Sequence, residues 1–212
     1  EFATVHEKLF HLFVISRDME EFAHIHPDAH PDGSFTIEHT LPKPGHYMLF
    51  ADFLPIGGGT QITGLPFATA GVDTDLVSAR ATLTPDATLT KSADGVRVEV
   101  TNEPSTILGG EEVDLVFRFT NEQTEAPVND LQKYLGAAGH LVILSEDMTE
   151  YVHAHPREDL LLDPSAPVTF GPEVLFDALL PKPGRYRAWL QFQRNGKLST
   201  VTFTFNAPEP GL

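Results

Sequence analysis

Polar and apolar residues alternate along much of this chain. Val96-Arg97-Val98-Glu99-Val100 and Val113-Asp114-Leu115-Val116-Phe117-Arg118-Phe119 carry apolar side chains at every second position, the period of a half-buried β-strand. Tyr186 to Phe192 and Leu198 to Phe205 follow the same rule. Helix signals are scarce, and 17 prolines and 16 glycines cut the chain into short pieces. Many short strands separated by turn residues predict an all-β fold of antiparallel sandwich or barrel type. Gly57-Gly58-Gly59 lies between strand-like segments and reads as a hairpin loop.

The pattern occurs twice. His11-Leu12-Phe13-Val14-Ile15-Ser16-Arg17-Asp18-Met19 with Phe22-Ala23-His24-Ile25-His26-Pro27 recurs, offset by 129, as His140-Leu141-Val142-Ile143-Leu144-Ser145-Glu146-Asp147-Met148 with Tyr151-Val152-His153-Ala154-His155-Pro156. Leu41-Pro42-Lys43-Pro44-Gly45-His46-Tyr47 recurs as Leu180-Pro181-Lys182-Pro183-Gly184-Arg185-Tyr186, offset by 139. A tyrosine at such a turn-to-strand corner resembles the tyrosine corner of immunoglobulin-like sandwiches. The expected architecture is therefore two tandem antiparallel β-sandwich units of immunoglobulin/cupredoxin-like type. Two strands, near 89–101 and 111–120, precede the second histidine segment and have no counterpart before the first. The first unit, at 1–72, is thus expected to lack its leading strands. A linker or shared strand at 73–88, a second unit at 89–206 and a disordered tail at 207–212 complete the division.

Apolar pattern and turn residues repeat whenever a fold is duplicated, but a repeated His plus His-x-His asks for a chemical reason. Histidine is the commonest protein ligand for transition metals. Each copy reads as a hairpin with a four-residue loop, a common length. Opposed residues then sum to 37 in the first copy and 295 in the second. His11 faces His26 and Phe13 faces His24; His140 faces His155 and Val142 faces His153. Opposed residues share a face, as do alternate residues of one strand, and opposed Cβ atoms lie roughly 4.5–5.5 Å apart. All three histidines of each copy are thereby placed on one face, within reach of a single ion. A loop with an odd number of residues would break this arrangement.

Three neutral imidazoles with water or a carboxylate suit Cu(II), Zn(II) or Ni(II). Met19 and Met148 hold equivalent places in the two loops; as thioether ligands they would tilt preference toward copper, and as packing residues they would fill the turn. His46 and Met48 share a strand face and could extend a copper site. His39 shares a face with Phe35, Ile37 and Leu41 and is expected to be a core residue. The metal candidates are therefore His11, His24, His26, His140, His153 and His155, with Met19, Met148, His46 and Met48 in supporting places. The first copy has the surplus histidine and is the better candidate.

Composition narrows the field. Acidic residues outnumber basic ones 30 to 14, a net charge of −16, which disfavours nucleic acid and anionic membranes as partners. The chain has no cysteine, which excludes disulfides, thiolate zinc sites, iron–sulfur clusters and a His-His-Cys blue-copper centre. No run approaches the roughly 18 apolar residues of a membrane-spanning helix. With no signal peptide and an unusual Glu1-Phe2 start, the chain is expected to be a mature form or a fragment.

The two motifs, His-Leu-(Phe/Val)-(Val/Ile)-x-Ser-x-Asp-Met with (Phe/Tyr)-x-His-x-His-Pro, and Leu-Pro-x-Pro-Gly-x-Tyr, resemble modules of bacterial exported proteins, YtkA-like and FixH-like in style. The resemblance implies an exported protein associated with copper or other heavy-metal handling. The expected function is an extracytoplasmic, periplasmic or secreted, copper- or zinc-binding protein that buffers or transfers the ion, with a metal-transport or membrane protein as partner. The alternative is a tandem immunoglobulin-like interaction module without metal, in which the histidines are structural and the open sheet edge of unit 1 pairs with another chain. No Gly-x-Ser-x-Gly or His-Glu-x-x-His pattern is present, so a binding protein rather than an enzyme is expected.

Overall fold

The computed structural model describes residues 1–73, 75–154, 156–157 and 169–211. Strands, all paired antiparallel, are the regular elements among the described residues. The chain forms two compact units, Glu1–Thr82 and Leu83–Leu212.

In the first unit the strands are β1 (Phe2–Ala3), β2 (His11–Ser16), β3 (Phe22–Ile25), β4 (Asp28–Ala29), β5 (Phe35–Thr36), β6 (His46–Pro55) and β7 (Gln61–Ala68). β6 is the hub: it pairs with β1, β2 and β7, and β2 pairs with β3. β4 and β5 form a separate ribbon. The glycine run forms the β6–β7 hairpin loop, where Gly57 takes φ 79°. Phe10 stacks on Phe53 and Phe35, with ring centroids 5.4 and 4.8 Å away, and Phe2 meets Phe53 edge-on at 5.3 Å. Such aromatic pairs contribute about 0.5–1.5 kcal/mol each beyond the area they bury. They hold the segment before β2 against β6. His39 is exposed and Ile37 is 40% exposed, so the alternation at 35–41 does not build a core face. β5 ends at Thr36, and the strand that would have buried His39 does not continue.

In the second unit the strands are β8 (Thr90–Ala93), β9 (Val96–Glu103), β10 (Glu112–Asn121), β11 (His140–Ser145), β12 (Tyr151–Ala154), β13 (Glu173–Leu179), β14 (Gly184–Arg194) and β15 (Lys197–Ala207). They make two four-stranded sheets, ordered β13-β10-β9-β8 and β12-β11-β14-β15. Val98, Phe117, Phe119 and Phe176 of one sheet share a core with Leu141, Ile143, Leu190, Phe192 and Phe203 of the other. Phe119 meets Phe192 edge-on at 5.1 Å and closes the layers together.

Alternation along β11 has a consequence for the site. Leu141 and Ile143 turn into the sandwich core, so His140, Val142 and Leu144 project from the opposite face. The histidine face is thus not the face that packs the sandwich.

The unit boundary falls within the stretch expected as a linker, and part of that stretch is built into the second unit. Leu83 is buried. Asp86 N–H donates to the Thr204 carbonyl, and its carboxylate accepts from Thr204 N–H and binds Lys91 at 2.6 Å. At the other end β15 runs through Ala207, which is fully buried, and the Pro208 carbonyl accepts from Gly109 N–H. Order therefore extends into the segment expected as a tail.

Candidate metal centre

The hairpins fix the geometry. β2 pairs with β3 as Leu12↔Ile25 and Phe13↔His24, and β11 with β12 as Val142↔His153, the registers summing to 37 and 295. Both loops contain four residues. Ser16 N–H donates to Glu21 O at 3.0 Å, and Ser145 N–H to Glu150 O at 2.9 Å. Inside each loop an aspartate caps the turn: Asp18 accepts from Ser16 Oγ and Glu20 N–H, and Asp147 from Ser145 Oγ and Thr149 N–H. This leaves Met19 and Met148 in the left-handed region, at φ 61° and 63°. Their side chains are buried, and that packing offsets the backbone cost of the conformation.

At the far end of the first hairpin three imidazoles meet. His11 Nδ1 lies 3.0 Å from His24 Nε2, and His26 Nε2 lies 3.2 Å from the same nitrogen. One ring nitrogen from each of His11, His24 and His26 lies within 4.8 Å of the other two. A metal held at about 2.0–2.1 Å in tetrahedral geometry separates its ligand nitrogens by about 3.3–3.4 Å. The two short spacings fall a few tenths of an ångström inside that value. His11 and His24 are buried and His26 is half-buried. Phe13 stacks under His24 with ring centroids 4.2 Å apart and fixes the plane of that ring.

The tautomer of His11 follows from its other nitrogen. Nε2 lies 3.0 Å from the Val5 carbonyl oxygen. A carbonyl only accepts, so Nε2 carries the hydrogen and neutral His11 presents the Nδ1 lone pair to the cluster. A ring N–H anchored on a backbone carbonyl is the usual outer support of a metal-bound histidine. The carbonyl is supplied by a tight turn. Val5 and Lys8 exchange both backbone hydrogen bonds, and His6 and Glu7 between them take φ 46° and 65°.

The second copy repeats this support. His140 Nε2 lies 3.1 Å from the Tyr134 carbonyl, on a turn whose central residues Leu135 and Gly136 take φ 50° and 78°. His140 Nδ1 lies 3.3 Å from His153 Nε2. His155 lies outside the described residues, so the structure brings together two of the three histidines expected there.

The supporting candidates stand elsewhere. Met19 sits in the loop beyond Ser16, at the opposite end of β2 from His11. Five residues of strand separate His11 from Ser16, about 17 Å at 3.4 Å per residue. Met148 is placed likewise in its hairpin. β2 pairs with β6 as His11↔Asp52. His46 is therefore six residues along β6 from the cluster and Met48 four, about 20 and 14 Å. His46 instead lines a cleft of about 300 Å³ with Arg17, Lys43, Ser78 and Arg80. Arg185, its counterpart in the repeat, pairs with Glu146 at 3.1 Å and binds the Leu83 carbonyl.

The Val5 carbonyl was not among the residues expected at the site. The sequence offered no signal for it, since Val5-His6-Glu7-Lys8 and Tyr134-Leu135-Gly136-Ala137, at the same offset of 129, share no residue.

Fold and site together define an all-β protein whose first unit holds a buried three-histidine cluster. The chain belongs to a family described as a domain of unknown function, DUF8832, whose model matches residues 1–70 and 91–209. Both histidine hairpins fall within the matched segments. No curated protein matches the chain.

Proposed function

We propose that this protein binds a divalent transition-metal ion, copper or zinc, through His11, His24 and His26, and buffers or transfers it outside the cytoplasm. The observation that carries the proposal is the convergence of three ring nitrogens, one with its lone pair directed by the Val5 carbonyl. Imidazole ligands suit Cu(II) and Zn(II). Metal handling and an extracytoplasmic location are supported by the resemblance of the duplicated motifs to exported modules, and a cysteine-free chain is indifferent to an oxidising compartment.

Elemental analysis of tag-free protein, followed by anomalous diffraction at the copper and zinc edges, tests this reading. A scattering peak between His11, His24 and His26 is expected. Metal-free protein, with no peak after soaking in either ion, would refute it.

A second reading rests on β7, which pairs only with β6 among the described residues and exposes Ile62 and Leu65, at 46% and 58%. Such an edge accepts a further strand from another chain, and self-association through β7 would make the module an interaction domain. Sedimentation of the wild type against Leu65→Lys distinguishes a β7-mediated oligomer from a monomer.

A further inference from the structure

The first unit carries four Lys and Arg residues, Lys8, Arg17, Lys43 and Arg80, against eleven Asp and Glu. Three of the four, Arg17, Lys43 and Arg80, line the cleft of about 300 Å³ that also contains His46. Cations gathered in one concave site of a strongly acidic chain focus a positive potential there. The cleft lies beside Ser16, at the end of β2 opposite His11, so it is separate from the histidine cluster.

Local structure sets each cation in place. Arg17 opens the β2–β3 loop, and its N–H donates to the His46 carbonyl at 2.7 Å, where β6 begins. Lys43 binds the Asp18 carboxylate at 2.7 Å and that of Glu20 at 2.9 Å, so its charge is engaged by the loop. Arg80 comes from the segment after β7. Ala81 N–H donates to the Arg17 carbonyl at 3.1 Å, and Asp75 accepts from the N–H groups of Val77 and Ser78, shaping the turn that leads to Arg80. Arg80 is exposed and forms no ion pair among the described residues.

The repeat supplies a comparison that points to the ligand. Arg17 and His46 correspond to Glu146 and Arg185, and the same backbone bond recurs, from Glu146 N–H to the Arg185 carbonyl at 2.9 Å. In the second unit this pair grips the backbone of Leu83. Glu146 accepts from its N–H at 2.6 Å, and Arg185 donates to its carbonyl at 2.7 Å. One acceptor and one donor match a peptide group. In the first unit the place of the Glu146 acceptor is taken by a guanidinium, which has five N–H donors and no acceptor. That exchange selects a ligand that accepts only. An oxyanion is such a ligand, and the guanidinium fork matches its geometry. With Lys43 engaged by acidic neighbours, the two charges of Arg17 and Arg80 match a phosphate, which carries about −1.5 to −2 near pH 7.

We propose that this cleft binds phosphate, free or as a small monoester, between Arg17 and Arg80, with His46 as a further donor. Isothermal titration tests this, using protein freed of metal by dialysis against a chelator, so that phosphate held by a metal gives no heat. Inorganic phosphate and glycerol 3-phosphate are titrated separately at fixed ionic strength, and the tighter of the two identifies the ligand as free phosphate or ester. Wild type is expected to take one equivalent saturably. Arg80→Gln should weaken binding about 10-fold or more. Arg17→Glu, which copies the residue of the repeat, should abolish it; Arg80→Gln, at an exposed position, carries the test should Arg17→Glu not fold. Acetate bound as tightly as phosphate would overturn the assignment to a doubly charged ligand. No saturable binding by wild type, or binding unaltered in Arg80→Gln and Arg17→Glu, would overturn the proposal and leave the three-histidine reading standing.

Discussion

His11 Nδ1 and His24 Nε2 stand 3.0 Å apart on neighbouring strands, with the far side of the His11 ring anchored to the Val5 carbonyl. Nitrogens so close must share a proton or a metal. If they share a metal, removal of either ring leaves too few ligands. His11→Ala and His24→Ala are each expected to weaken Zn(II) binding at least 100-fold, about 2.7 kcal/mol, as read by competition with a chromogenic chelator. His140→Ala should leave the tight site unchanged.

The Val5–Lys8 turn is predicted to act at a distance from the metal. Glu7 has φ 65°, a value closed to proline, whose ring fixes φ near −65°. Glu7→Pro should therefore displace the carbonyl that orients His11. Loss of such outer support typically lowers metal affinity about 10–100-fold. Competition titration should show this loss with the strand spectrum intact by circular dichroism; unchanged affinity would mean that the turn plays no part in the site.

Two tyrosines brace the strands that carry the sites. Tyr47 and Tyr186 donate to the carbonyls of Lys43 and Lys182, each at 2.7 Å, and both side chains are buried. Tyr186→Phe leaves the Lys182 carbonyl without this donor and should destabilise the chain by about 1–3 kcal/mol. Chemical denaturation measures the change.

The loop aspartates predict an acid-sensitive fold. Burial pushes Asp147 up, but hydrogen bonds from Lys182, Ser145 and Thr149 outweigh it and hold the carboxyl well below the usual carboxylate range. Asp18 is lowered in the same manner by Lys43, Ser16 and the Glu20 N–H. A group whose pKa is depressed by folding stabilises the native state above its unfolded value, about 3.9, and that contribution fades as pH falls below it. Thermal melts of wild type should thus drop below about pH 4. In Asp147→Asn the drop should be shallower, starting from a lower plateau at neutral pH. Parallel pH profiles for the two proteins would contradict this.

Much of the hairpin was legible in the sequence because its determinants are local. Four loop residues between Ser16 and Glu21 fix the register, and the register places His24 opposite Phe13. The tyrosine corner was legible for the same reason, since donor and acceptor are four residues apart. The placement of Asp52 opposite His11 was not, because it depends on the pairing of β6 with β2, and nothing local in the sequence specifies that pairing. Met19 and Met148 follow the packing alternative: their shared position in the repeat reflects a shared left-handed turn with a buried side chain. His39 showed the limit of alternation, which continued in sequence where the strand itself stopped.

The central claim is that the first unit holds one divalent ion between three histidines. Isothermal titration of metal-free protein with Zn(II) near neutral pH addresses it most directly, with the His24→Ala, His26→Ala double variant alongside. One tight equivalent in wild type, absent from the double variant, is the predicted result. No saturable heat in wild type, or an isotherm unaltered by loss of both histidines, would contradict it.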